Sequence, residues 1–225
     1  MFGEAARSVD LALVRTWREQ LGLVEAGAAR RIGFGRAYSP GAELRPALQV
    51  DLGDGRSVLL LGQTELLLGR AARVTSVIPL LRLAEKSSPA HLRGALDHAV
   101  LAAAGLAAAG HDHILLGGDG SVRRVAHAPW TAEAAHAYLA GLVRELLDQP
   151  HGYLLPLDGL AKALAGKTMA TQYGDQTGGL GFGPIQRRDG LGFPADAPAI
   201  AARRLRPLVE RMDGDHSFTI ARSRA

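Results

Sequence analysis

Between Arg31 and Gly105 the hydrophobic pattern is strand-like three times over and then turns helical, an order that few folds accommodate. The strand-like runs are residues 32–38, then ALQVDL and SVLLLGQTELLL joined by the turn Gly53-Asp54-Gly55, then VTSVIPLL at 74–81. Pro79 puts the last run near a strand end or on a sheet edge. In HLRGALDHAVLAAAG (91–105), Leu92, Leu96, Val100 and Ala103 share one helical face, so the spacing predicts a helix packed on the strands and closed by Gly105. The result is a βββα block. The expected fold class is α/β (α+β), a central mixed β-sheet flanked by helices.

Flanking segments are simpler. Val9, Leu13, Trp17 and Leu21 recur every four residues and predict a helix over 8–24. HILLGGDGSVRRVAH reads as a strand pair turning at Gly117 to Gly120. Thr131 can cap a helix carrying Ala135, Tyr138, Leu139, Leu142, Val143, Leu146 and Leu147 at three- and four-residue steps. Gly174 to Pro194 is glycine-rich and reads as a long loop. PAIAARRLRPLVERM predicts a final helix docking through Ile200, Leu205 and Leu208. The expected segments are 1–29, an N-terminal helical segment; 30–165, an α/β core; and 166–225, the glycine-rich loop and C-terminal helix.

With 225 residues, 47% hydrophobic and 21% charged, the chain has the composition of a folded protein rather than a disordered one. It contains no cysteine, which removes disulfides and thiolate metal sites. The N-terminus lacks the basic head and apolar run of a signal peptide, and the longest apolar stretch, Ala99 to Gly110, is about half a membrane span. A cytoplasmic location, without membrane contact, is expected.

Two motifs invite catalytic readings. AKALAGKT (161–168) ends like a phosphate-binding P-loop, but AKALA has no glycine and consists of strong helix formers, whose N–H groups are committed to their own helix. A helix ending at Gly166, with Lys167 at its negative end, is expected instead. The βββα block in turn resembles the PD-(D/E)XK nuclease core. In that family a carboxylate on one strand and a D/E-x-K on the next hold Mg²⁺ and position water. Glu65, in Gly62-Gln63-Thr64-Glu65, fits the first position. The next run, VTSVIPLL, has neither acid nor lysine, and the residues two before the only lysines, Lys86, Lys162 and Lys167, are Ala84, Leu160 and Ala165. Glu65 is therefore expected to be vestigial, paired with an arginine, with no catalytic residue, no metal site and no cofactor. An active nuclease needs a basic group from elsewhere, such as Arg82 or Lys86.

The histidines give no metal-ligand pattern. Along a strand His111 and Asp112 diverge to opposite faces, and His91 and His98 lie two helical turns apart, so surface or capping roles are expected. Gly117-Gly118-Asp119-Gly120 reads as a tight turn rather than an anion cradle, because Asp119 repels anions. Arginine pairs at Arg123-Arg124, Arg187-Arg188 and Arg203-Arg204 suit DNA phosphates and are the candidate nonspecific DNA contacts. A solvated surface or a protein interface accounts for them equally well.

Six stretches in order resemble one family: GQTELL (62–67), LDHAVLAAAG (96–105), AHAYLAGLVRELL (135–147), YLLP (153–156), FGPI (182–185) and AIAARRLRPL (199–208). Together they are similar to the C-terminal domain of the RecC-like gamma subunit of exodeoxyribonuclease V, the RecBCD helicase-nuclease. The resemblance implies a restriction-endonuclease-like core without an active site. It also implies a scaffold that docks RecB-like and RecD-like helicase and nuclease subunits and guides DNA strands. The helicase-like N-terminal domains of that family have no counterpart here, so recognition of regulatory DNA sequences is not carried over.

Overall fold

The computed structural model describes residues 11–19, 21, 29–70, 73–80, 83, 88–148, 157–167 and 196–221. It divides into two compact units, Met1–Ala140 with Arg211–Ser217 and Gly141–Glu210 with Phe218–Ala225.

In the first unit the strand-like runs form three sheets rather than one. β1 (Ile32–Phe34), β2 (Glu43–Arg45) and β5 (Gly62–Gln63) make a small sheet with β1 in the middle. β3 (Leu48–Asp51) and β4 (Ser57–Leu60) make a hairpin turning through Gly53 and Gly55, both at positive φ, as the Gly-Asp-Gly turn predicts. β6 (Leu66–Arg70), β7 (Arg73–Leu80), β8 (His111–Gly117), β9 (Val122–His127) and β10 (Met212–Gly214) build the largest sheet, ordered β10-β9-β8-β7-β6. The single central sheet is thereby corrected. The run 57–68 breaks twice, at Leu61 and at Thr64-Glu65. Thr64 has a local cause for its break, since its N–H donates to the Ile32 carbonyl and its hydroxyl accepts from the Ile32 N–H, tying it to β1.

The five-stranded sheet is mixed. β7 and β8 are parallel, as a helical crossover requires, and the other pairs are antiparallel. The crossover is α1 (Ser88–Ala103). Pro79 lies near the end of β7, which is an interior strand. Ile78, Leu115 and Ala90 pack together where α1 meets the sheet. On the opposite face Val77, Ile114 and Leu116 are covered by Trp17 and Leu21, and the Trp17 indole N–H donates to the Gly117 carbonyl at 3.0 Å.

α2 (Ala132–Asp148) starts where expected. The Thr131 hydroxyl accepts from the Ala134 N–H at 3.2 Å, an N-cap. Thr131→Ala is expected to lower stability by about 1 kcal/mol, read as a shift in the urea midpoint with unchanged slope. The far end departs from the sequence pattern: Leu146 and Leu147 are exposed, and Glu145 is buried instead. In the second unit, Glu145 accepts from Arg203 at 3.0 Å and Arg204 at 3.3 Å.

That unit also holds α3 (Leu157–Leu164), α4 (Ala197–Arg204) and α5 (Arg206–Val209), and α3 packs on α4. Ile200, Leu205 and Leu208 are buried. AKALAGK (161–167) is the end of a helix, with Thr168 outside the described residues: Gly166 sits at φ +67° and the Lys167 N–H returns to the Lys162 carbonyl at 2.9 Å. YLLP, FGPI, Arg187 and Arg188 lie outside the described residues, as do Arg82 and Lys86. No helix among the described residues is long and apolar enough to cross a membrane.

Candidate functional site

Glu65 stands at the break before β6, and α1 presents Arg93 and Asp97 to it from one helical face, four residues apart. Arg93 Nε donates to Glu65 Oε1 at 2.7 Å, and a second guanidinium nitrogen lies 2.5 Å from the same oxygen. The Glu65 backbone N–H donates to Asp97 Oδ2 at 3.0 Å. The Ser76 hydroxyl, on β7, donates to that same Oδ2 at 2.7 Å. Burial drives the Asp97 carboxyl up to about 6, against the pull of these two donors. Glu65 thus has the arginine partner expected of it, together with a neighbouring carboxylate that the strand-based pattern gave no reason to seek.

Ser76 also lies 2.9 Å from His111 Nε2. Its single proton is committed to Asp97, so its oxygen accepts from His111 Nε2–H, which leaves His111 Nδ1 bare. A serine, a histidine and an aspartate in a row suggest a nucleophilic triad, but the order is wrong. In a triad the histidine stands between the other two and takes the serine proton, whereas here the serine stands in the middle and is fully buried.

His111 belongs to a group of five buried imidazoles, which corrects the expected surface and capping roles. His91 and His98 come from α1, His111 and His113 from β8, and His127 from β9; all are at most 5% exposed. Register explains the assembly. His111 and His113 are two apart on a strand and so share a face, while Asp112 points the other way and pairs with Arg73 at 2.5 Å. His127 pairs with His111 across the sheet. His113 is bonded on both ring nitrogens, to His91 Nδ1 at 2.9 Å and to His127 Nε2 at 2.8 Å. His98 stacks on His127 and His111, with centroids 4.6 and 5.3 Å apart, and reaches the Ala128 carbonyl at 3.1 Å.

These rings are neutral at pH 7. Desolvation is the leading cause for each: it lowers His91 and His98 to about 4 and His113 to about 3, and it holds His111 and His127 well below the ordinary imidazole value. A chain of three neutral imidazoles has one N–H left over after its two internal bonds. That proton falls at either His91 Nε2 or His127 Nδ1, and both atoms are buried with no hydrogen-bond partner among the described residues. His98 lies nearly parallel to His111 and to His127, with ring planes 12° and 20° apart, so its in-plane lone pairs run alongside theirs. Among the described residues no three His, Cys, Asp or Glu side chains are placed to hold an ion together.

The candidate DNA-contacting arginines are dispersed. Arg123, on β9, pairs with Asp215 at 3.3 Å, and Arg124 is exposed on the other face of the same strand. Arg203 and Arg204 both turn to Glu145. Comparison with known proteins adds nothing to these observations: no family model, curated protein or solved structure matches the chain.

Proposed function

We propose that the chain is a non-catalytic scaffold and DNA-guiding domain like that of a RecBCD-type exodeoxyribonuclease V gamma subunit. In this reading it has a degenerate restriction-endonuclease-like core and works in double-strand break repair and recombination in the cytoplasm. RecB-like and RecD-like helicase and nuclease subunits are its partners, and its DNA contact is to the backbone. The order β6, β7, α1, β8 supports the core. One observation carries the loss of catalysis: β7, the second strand after Glu65, offers the Ser76 hydroxyl towards the site and has neither carboxylate nor lysine. Glu65, meanwhile, is neutralised by Arg93. Backbone contact predicts DNA binding that weakens linearly in log–log form with salt, by a slope of about −0.9 per phosphate neutralised. A flat salt response in fluorescence anisotropy contradicts DNA contact and leaves the arginines to protein partners.

A second reading, a Mg²⁺-dependent nuclease, is favoured by one feature, the Asp97 carboxylate beside Glu65. In that reading α1 supplies the acid that β7 lacks, and the basic group comes from elsewhere. Its Oδ2 already accepts two hydrogen bonds and Glu65 already has its cation, which weighs against it.

A further inference from the structure

Beside Asp97 a cleft of about 190 Å³ opens between the small sheets and α1, walled by Phe34, Leu48, Leu61, Leu96 and Val100. An apolar cavity of about 150 Å³ takes up benzene, so the cleft has room for one ring and a short substituent. Asp97 lines it and is nine-tenths buried. Its Oδ2 is occupied by Ser76 and the Glu65 N–H, while Oδ1 has no hydrogen-bond partner among the described residues. Oδ1 is not among the sealed polar atoms left without a partner, so it is open to an incoming molecule, and the burial of the rest of the carboxyl group favours a cation supplied from outside. The nearest guanidinium, Arg93, is turned to Glu65.

We propose that this cleft binds a small primary ammonium compound with an apolar body about the size of a benzene ring. The ammonium group donates to Asp97 Oδ1, and the body lies against Leu96, Val100 and Phe34. Shape alone admits any small apolar molecule, and the carboxylate selects the cation among them. Charge complementarity thus sets the ligand class, and the proposal rests on the non-catalytic reading, since the second reading gives Asp97 to Mg²⁺. Burial, which raises the Asp97 pKa, is also what makes an incoming cation valuable there.

The test titrates the full chain at pH 7.5 with phenethylammonium and, separately, with the neutral isostere 2-phenylethanol, followed by amide chemical shifts. The ammonium is expected to bind at least about tenfold more tightly than the alcohol. Asp97→Asn, whose side-chain oxygen can still accept from Ser76 and Glu65, is expected to abolish that preference while leaving alcohol binding intact. Val100→Phe, at a partly exposed helix position, fills the cleft and is expected to weaken both ligands, which keeps the proposal testable should Asp97→Asn fail to fold. Equal binding of the two ligands, no binding of either, or binding undiminished in Val100→Phe overturns it.

Discussion

Acidification from pH 7 to pH 5 is expected to melt the first unit. The unfolded imidazole titrates at 6.5, and in the folded chain His91 and His98 are lowered to about 4 and His113 to about 3. Lowered values mean that the unfolded chain binds protons first, so stability present above pH 6.5 is lost as the pH falls below it. The loss stops growing only near the folded values. At pH 5 the 1.5-unit gap costs about 2 kcal/mol for each ring. His111 and His127 act in the same direction, and Arg73, Arg123, Arg211 and His216 add repulsion around the cluster, with Asp215 opposing them at His91. Asp97 has the opposite sign. Its raised value, about 6, lets the folded chain take up a proton first as the pH falls, which offsets roughly one histidine. The remainder is comparable with the whole stability of a typical domain, about 5–15 kcal/mol. Trp130 lies 5.9 Å from His98, so its fluorescence in a Trp17→Phe background reports the event. A melting temperature that stays flat between pH 7 and pH 5 contradicts the buried cluster.

The second large effect concerns Gly94. On an exposed helix, glycine to alanine gains about 1 kcal/mol. At Gly94 an added Cβ lies 2.4 Å from His113 Cγ and 2.6 Å from its Nδ1. The His113 ring cannot swing aside without breaking its bonds to His91 and His127. Gly94→Ala is therefore expected to destabilise by about 3 kcal/mol, an overpacking cost that outweighs the helix gain. Gly141, exposed on α2 with open space around it, provides the control, and Gly141→Ala is expected to stabilise by about 1 kcal/mol. Urea titration of the two variants reads both signs. A stabilised Gly94→Ala contradicts the close approach of α1 to β8.

These effects centre on residues whose role hydrophobic periodicity conceals. The start of α2, the β3–β4 hairpin and the end at Gly166 follow from spacing and turn residues, because local preference and tertiary packing agree there. α1 is different. Leu96 and Val100 face the small sheets across the cleft, as the spacing predicts, but with Leu92 they are only half-buried, and the stripe that meets β8 is His91, Gly94, Ala95 and His98. A neutral imidazole packs as a flat, mostly apolar ring, although hydropathy counts it as polar. The signal was available: His91 and His98 are seven apart on a helix, and His111 and His113 two apart on a strand, so each pair shares a face. The site was half legible. Glu65 and its need for an arginine could be read from the strand pattern, but Asp97 approaches from a helix more than thirty residues away. β10 is only three residues long, too short to leave a period.

The most direct measurement of the central claim incubates the purified chain with linear duplex DNA and Mg²⁺ and follows nucleotide release. A core whose second strand brings Ser76 in place of an acid, with Arg93 on its one remaining glutamate, predicts release no greater than that of the Glu65→Ala protein. Mg²⁺-dependent degradation that disappears in both Glu65→Ala and Asp97→Asn contradicts it.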